Sequence, residues 1–132
     1  MISQTAEHAL RALLYLARRD DRSVSAAHIA RAIGAPANYL SKTLHLLARE
    51  GLVTGTRGPT GGFRLARSAA DITIADITDV FEDAPSSRMC LLGGVPCSHD
   101  NSCVAHKQWL ALRAQTKDAL KHTTLTALLQ AN

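Results

Sequence analysis

Three cysteines fall within fourteen residues, Cys90, Cys97 and Cys103, and His106 follows three positions later. The chain has no other cysteine. Thiolates gathered this closely bind soft metals. Gly93, Gly94 and Pro96 between them let the backbone turn around a small centre. An odd number of cysteines argues against a disulfide framework. A loop of this kind needs a scaffold that both positions it and responds to it.

The bulk composition bounds that scaffold. A chain of 132 residues suits one domain with an appended helix. Apolar residues make up 46% and aromatics only 4%, so aliphatic helix packing must supply the core. No apolar run is long enough to cross a bilayer, and no membrane partner is expected. The start, Met1 to His8, lacks the basic and apolar stretches of a signal peptide. A cytoplasmic protein with reduced thiols is therefore expected. No Gly-rich phosphate loop, Cys-x-x-Cys redox pair or paired-carboxylate motif occurs, so no enzyme is expected. Residues 1–67 hold ten Lys/Arg against four Asp/Glu, a balance of +6. Residues 68–132 hold five against seven, a balance of −2. A basic first half suggests a polyanion as partner.

The hydrophobic periodicity divides that half into short elements. Leu10, Leu13, Leu14 and Ala17 recur at helical spacing over residues 5–18. Ser25 can cap a second helix that turns Ile29 and Ile33 inward and stops at Gly34. Pro36 suits the first turn of a third helix. That helix runs to about Glu50, with Leu40, Leu44 and Leu47 on one face. Two helices joined by a tight Gly-containing turn suggest a helix-turn-helix. Residues 52–56 and 62–66 read as two short strands around the loop Arg57-Gly58-Pro59-Thr60-Gly61. Phe63 and Leu65 alternate with Arg64, so one face of the second strand is apolar and the other basic. The pattern is a winged helix-turn-helix. Thr73 and Asp76 form a capping box for a fourth helix ending near Glu82. Residues 83–101 read as irregular. A long helix starts near Ser102, with Ala105, Trp109, Leu112 and Ala119 on one stripe. Thr123 or Thr124 starts a last short helix.

The expected fold is thus mainly α with a small β-hairpin wing, followed by a long C-terminal dimerisation helix. The expected organisation is a DNA-binding domain over 1–82, a sensor loop over 83–103, and a dimerisation helix plus terminal helix over 104–132. Asn38, Tyr39, Ser41 and Lys42 start the third helix and can reach base edges or phosphates in a major groove. Arg57 at a loop tip suits the negative potential of a minor groove. Double-stranded DNA and a second copy of the chain are the expected partners, because two half-sites are commonly read by a symmetric dimer.

Several strings carry a resemblance: Glu7 to Ala17, Tyr39-Leu40, Arg57 to Phe63, the cysteine loop, and Leu125 to Leu129. Together they make the chain resemble the IscR/NsrR-type (Rrf-two) winged-helix transcriptional regulators over nearly its whole length. The resemblance implies an iron–sulfur cluster, [2Fe-2S] or [4Fe-4S], held by Cys90, Cys97 and Cys103. His106 or Glu7 matches the fourth ligand in different branches of that family. It implies wing contacts from Arg57 and Pro59 and recognition-helix contacts from Asn38 and Ser41; Gly58 and Arg64, beside them in the basic wing, are further candidate DNA contacts. It also implies a repressor that senses iron–sulfur status, redox state or nitric oxide. The first inter-cysteine gap, Leu91 to Pro96, is slightly longer than the family's commoner spacing. A cluster-free thiol switch or a zinc site of the same fold stays open, although zinc favours shorter cysteine gaps than these.

Overall fold

A computed structural model describes residues 3–19, 22–81 and 106–131. Helix α1, Gln4–Ala17, opens where the Ser3 hydroxyl accepts the Ala6 N–H at 3.1 Å. Its inward stripe is Ala6, Ala9, Ala12, Leu13 and Leu16, all buried. Three alanines in that stripe keep its first turns thin.

Helix α2, Ala26–Ile33, is capped by Ser25, whose hydroxyl accepts the His28 N–H. It ends at Gly34, which takes a left-handed conformation at φ 72° that a side chain would disfavour. Helix α3, Ala37–Arg49, follows at once. Pro36 does not enter its first turn as the sequence suggests. It sits just before the helix in an extended conformation, and its carbonyl accepts the Leu40 N–H at 2.9 Å. The ring still fits there because that position has no intrahelical partner for an N–H.

Strands β1, Val53–Thr56, and β2, Gly62–Leu65, pair antiparallel, with Val53 opposite Leu65 and Thr56 opposite Gly62. The sequence pattern anticipates this hairpin but not its third partner. Val24, just before α2, bridges Phe63 with two backbone hydrogen bonds of 2.9 and 2.8 Å. Gly62 permits that approach: a Cβ there would lie 2.4 Å from the Val24 carbonyl carbon and oxygen.

A short 3₁₀ turn, Ala69–Asp71, also goes unannounced in the pattern. The expected capping box is present. Thr73 Oγ1 accepts the Asp76 N–H at 3.1 Å, and the Asp76 carboxylate accepts the Thr73 N–H at 3.0 Å. It opens α4, Ile74–Phe81.

Helix α5 spans His106–His122 and packs against α4. None of its described side chains is buried. Leu110 and Leu112 are 43% and 45% exposed, and Ala119 is exposed too. The stripe members Ala105 and Trp109 lie outside the described side chains. Helix α6, Leu125–Gln130, is capped by Thr124. Backbone bonds from Ile74 to Thr123 and from Leu125 to Ile72 return the chain to the start of α4. Leu125 is fully buried in the same core as Leu13, Ile29, Leu44 and Ile77. Among the described residues no helix is long and apolar enough to cross a membrane.

Gly62→Ala forces Val24 and the hairpin apart. A loss of about 1–3 kcal/mol in unfolding free energy is expected, as for other overpacked sites. Urea denaturation checks it.

Candidate nucleic-acid interface

The buried face of α3 is Leu40, Thr43, Leu44 and Leu47. Burying each leucine contributes roughly 1.5–3 kcal/mol, so the helix has one stable rotation about its axis. That rotation leaves Asn38, Tyr39, Lys42, His45 and Arg49 exposed and Ser41 half-buried. Leu46, off that face, is 42% exposed.

The wing stands beside this surface and is tied to it. The His45 ring meets Phe63 of β2 edge-on, at 5.4 Å between centroids and 77° between planes. Phe63 in turn lies against Gly55 across the hairpin, where a Cβ would come within 3.1 Å of its ring. Arg57, Gly58 and Pro59 are exposed at the loop between the strands. The Gly61 N–H donates to the Gly58 carbonyl at 2.9 Å and closes that loop. Arg64 points outward from β2 while Phe63 points in, as the alternation predicts.

Lys42 and Arg49 on α3 and Arg57 and Arg64 on the wing are exposed cations. Among the described residues, Lys42, Arg49, Arg57 and Arg64 have no carboxylate within ion-pair distance. The ion pairs that do form are elsewhere: Arg11 with Glu7 at 3.2 Å, Arg67 with Asp76 at 3.9 Å, and His122 with Asp118 at 3.6 Å. Exposed cations on a helix and the adjacent wing suit a phosphate backbone.

The start of α3 is also held from a direction the sequence does not reveal. The Tyr39 hydroxyl is hydrogen-bonded to Thr5 Oγ1 of α1. The His8 ring meets Tyr39 edge-on at 5.8 Å and 80°. These residues lie 34 and 31 positions apart, so no local signal could have paired them.

The cysteine loop stands differently. Cys90, Cys97 and Cys103 lie outside the described residues, as does the side chain of His106, the first residue of α5. Glu7 is described: it is exposed on α1, with Arg11 as its partner. Among the described residues no three His, Cys, Asp or Glu side chains gather as a metal site.

A helix-turn-helix with a hairpin wing and a cationic outer face defines a winged-helix DNA-binding protein of the transcription-regulator class. The chain belongs to the Rrf2 family, described as iron-dependent transcriptional regulators, which it matches over residues 2–131. A putative HTH-type transcriptional regulator of Aquifex aeolicus (strain VF5) is 41% identical over 131 residues, covering 98% of this chain and 91% of that protein. Among solved structures, CymR, the global cysteine regulator of B. subtilis, superposes with a TM-score of 0.81 at 27% identity. That match covers 100% of this chain and 98% of CymR. T. potens IscR superposes at 0.78 and 26% identity, covering 99% of this chain and 87% of that one. The winged-helix fold and the family expected from the residues are therefore both found.

His45→Ala removes the aromatic contact between α3 and the wing. A loss of about 0.5–1.5 kcal/mol is expected, read as a lower urea midpoint with an unchanged m-value.

Proposed function

We propose that this chain is a homodimeric transcriptional repressor whose grip on double-stranded DNA is set by an iron–sulfur cluster in its cysteine loop. The observation that carries the DNA part is the set of exposed cations, Lys42, Arg49, Arg57 and Arg64, on α3 and the wing, none of them in an ion pair among the described residues. In this reading Asn38, Tyr39, Ser41 and Lys42 bring the start of α3 to the major groove. Arg57, Gly58 and Pro59 enter the neighbouring minor groove, and Arg64 follows the backbone. Such a protein works in the cytoplasm beside its DNA and has no catalytic role.

The homodimer is supported by α5, which leaves Leu110 and Leu112 exposed on a helix with no buried described side chain. A second copy covering that helix would place two recognition helices on two half-sites.

The cluster is supported by its donor set and by the family's iron-dependent description. Cys90, Cys97 and Cys103 supply three thiolates, the ligand type that holds iron–sulfur clusters. The fourth ligand is His106, or Glu7 from a second copy. Glu7 suits the task because its carboxylate is exposed and its only ion-pair partner among the described residues is Arg11. A surface pair of this kind contributes little and is easily exchanged. When bound, the cluster supplies a centre that oxidants or nitric oxide attack. The chain's own part is to supply these thiolates from the segment between α4 and α5.

The likeness to CymR, named for cysteine regulation, favours a second reading. In it the same thiols act without a cluster, by reversible oxidation or by holding zinc.

Anaerobic purification is expected to give a brown protein containing iron and acid-labile sulfide, with the colour lost in Cys97→Ala. Colourless protein free of iron and sulfide after reconstitution would sink the cluster reading, and stoichiometric zinc would favour the second. For the DNA part, Arg57→Ala is expected to leave stability within about 0.5 kcal/mol. It should also lower the slope of log affinity against log salt by about 1. Filter binding or fluorescence anisotropy across a salt series measures that slope.

A further inference from the structure

The geometry points to Thr5 and His8 as positioning residues for DNA reading: by clamping Tyr39 they fix the entry end of the recognition helix. The inference rests on the DNA-reading role proposed above. It starts from an asymmetry among the helix ends. Ser3, Ser25 and Thr124 cap α1, α2 and α6 with side-chain hydrogen bonds. Helix α3 has no such bond, because its capping position is Pro36, which has no side-chain acceptor. An uncapped first turn has unsatisfied N–H groups and frays readily. Yet that turn carries Asn38 and leads directly into Ser41 and Lys42.

Anchorage comes from α1 instead. Thr5 Oγ1 is hydrogen-bonded to the Tyr39 hydroxyl. One turn further along α1, the His8 ring presents its edge to Tyr39 at 5.8 Å. The backbone of the same residue is braced from within α3, where the Thr43 hydroxyl donates to the Tyr39 carbonyl at 3.1 Å. Tyr39 is thus held at its ring, its hydroxyl and its carbonyl. With the hydroxyl engaged by α1, Tyr39 contributes chiefly by placement rather than by a hydrogen bond to DNA. The neighbouring side chains inherit that placement, and an ordered first turn presents them in one geometry rather than several.

The test uses the full chain and a duplex selected by the wild-type protein from a random pool, beside an unselected duplex. Thr5→Val, Tyr39→Phe and the double variant are titrated against both. Each single change is expected to weaken binding to the selected duplex about two- to tenfold, the range for one lost hydrogen bond. The double variant should be no weaker than the weaker single, since both remove one interaction. His8→Ala should weaken the selected duplex in the same range, and Thr5→Ser should restore wild-type affinity. Thr5→Val should leave the unselected duplex and the salt slope close to wild type. Additive losses in the double variant overturn the clamp, as do single variants that bind the selected duplex like wild type. A salt slope reduced by about 1 in Tyr39→Phe alone overturns it too, because Tyr39 would then touch a phosphate itself. Wild-type protein that selects no duplex defeats the DNA-reading role instead, a separate result.

Discussion

The burial of one leucine seam, Leu40, Leu44 and Leu47, is the constraint on which the rest of the structure depends. It sets the rotation of α3 against α1, α2 and β1. Only with that rotation do Asn38, Lys42 and Arg49 share an exposed surface. The polar residues do not choose their own orientation; the apolar side of the helix chooses it for them. Net hydrogen bonding and surface charge are too weak to compete with three fully buried leucines.

The wing is a second consequence of close packing. Phe63 is shared among three neighbours: Gly55 across the hairpin, His45 on α3 and the Val24 backbone on its other edge. Since β2 is paired on both sides, the wing is the outer part of a small sheet and not a free hairpin, which would be only marginally stable. Its basic loop is therefore presented from a fixed base. The same economy appears at the C-terminal end. Leu125 and the Thr73–Thr124 bridge bring the chain back to the core, so that α5 is anchored at its far end as well as along α4. Its exposed leucines then stand on a well-held helix.

Features set by neighbouring residues were legible in the sequence. The cap at Ser25, the start of the last helix at Thr123 or Thr124, the stop at Gly34, the Thr73–Asp76 box and the Gly/Pro loop of the wing each depend on residues within a few positions. The exposure of Lys42, Arg57 and Arg64 follows from the same periodicities. What escaped were pairings across long separations: Val24 with Phe63, Thr73 with Thr124, and Tyr39 with Thr5 and His8. A single bridging residue such as Val24 leaves no period to detect. A tyrosine on an exposed face looks like a contact residue until the hydroxyl facing it is known. The cysteine cluster is visible in the sequence as a set of residue types at close spacing, and Cys90, Cys97 and Cys103 lie outside the described residues.

By itself the amino-acid sequence determined most of the helices and both wing strands, most of their ends, and the apolar face of α3. It also determined that a basic winged helix-turn-helix is joined to a sulfur-rich loop. These depend on local backbone preference and on periods of two or three to four residues, which the chain carries regardless of its surroundings. The tertiary structure alone decided how tightly α3 is tied to α1 and to the wing, and that the last helix contributes Leu125 to the shared core. Those depend on which distant surfaces meet once water is excluded, and no stretch of chain holds that information on its own.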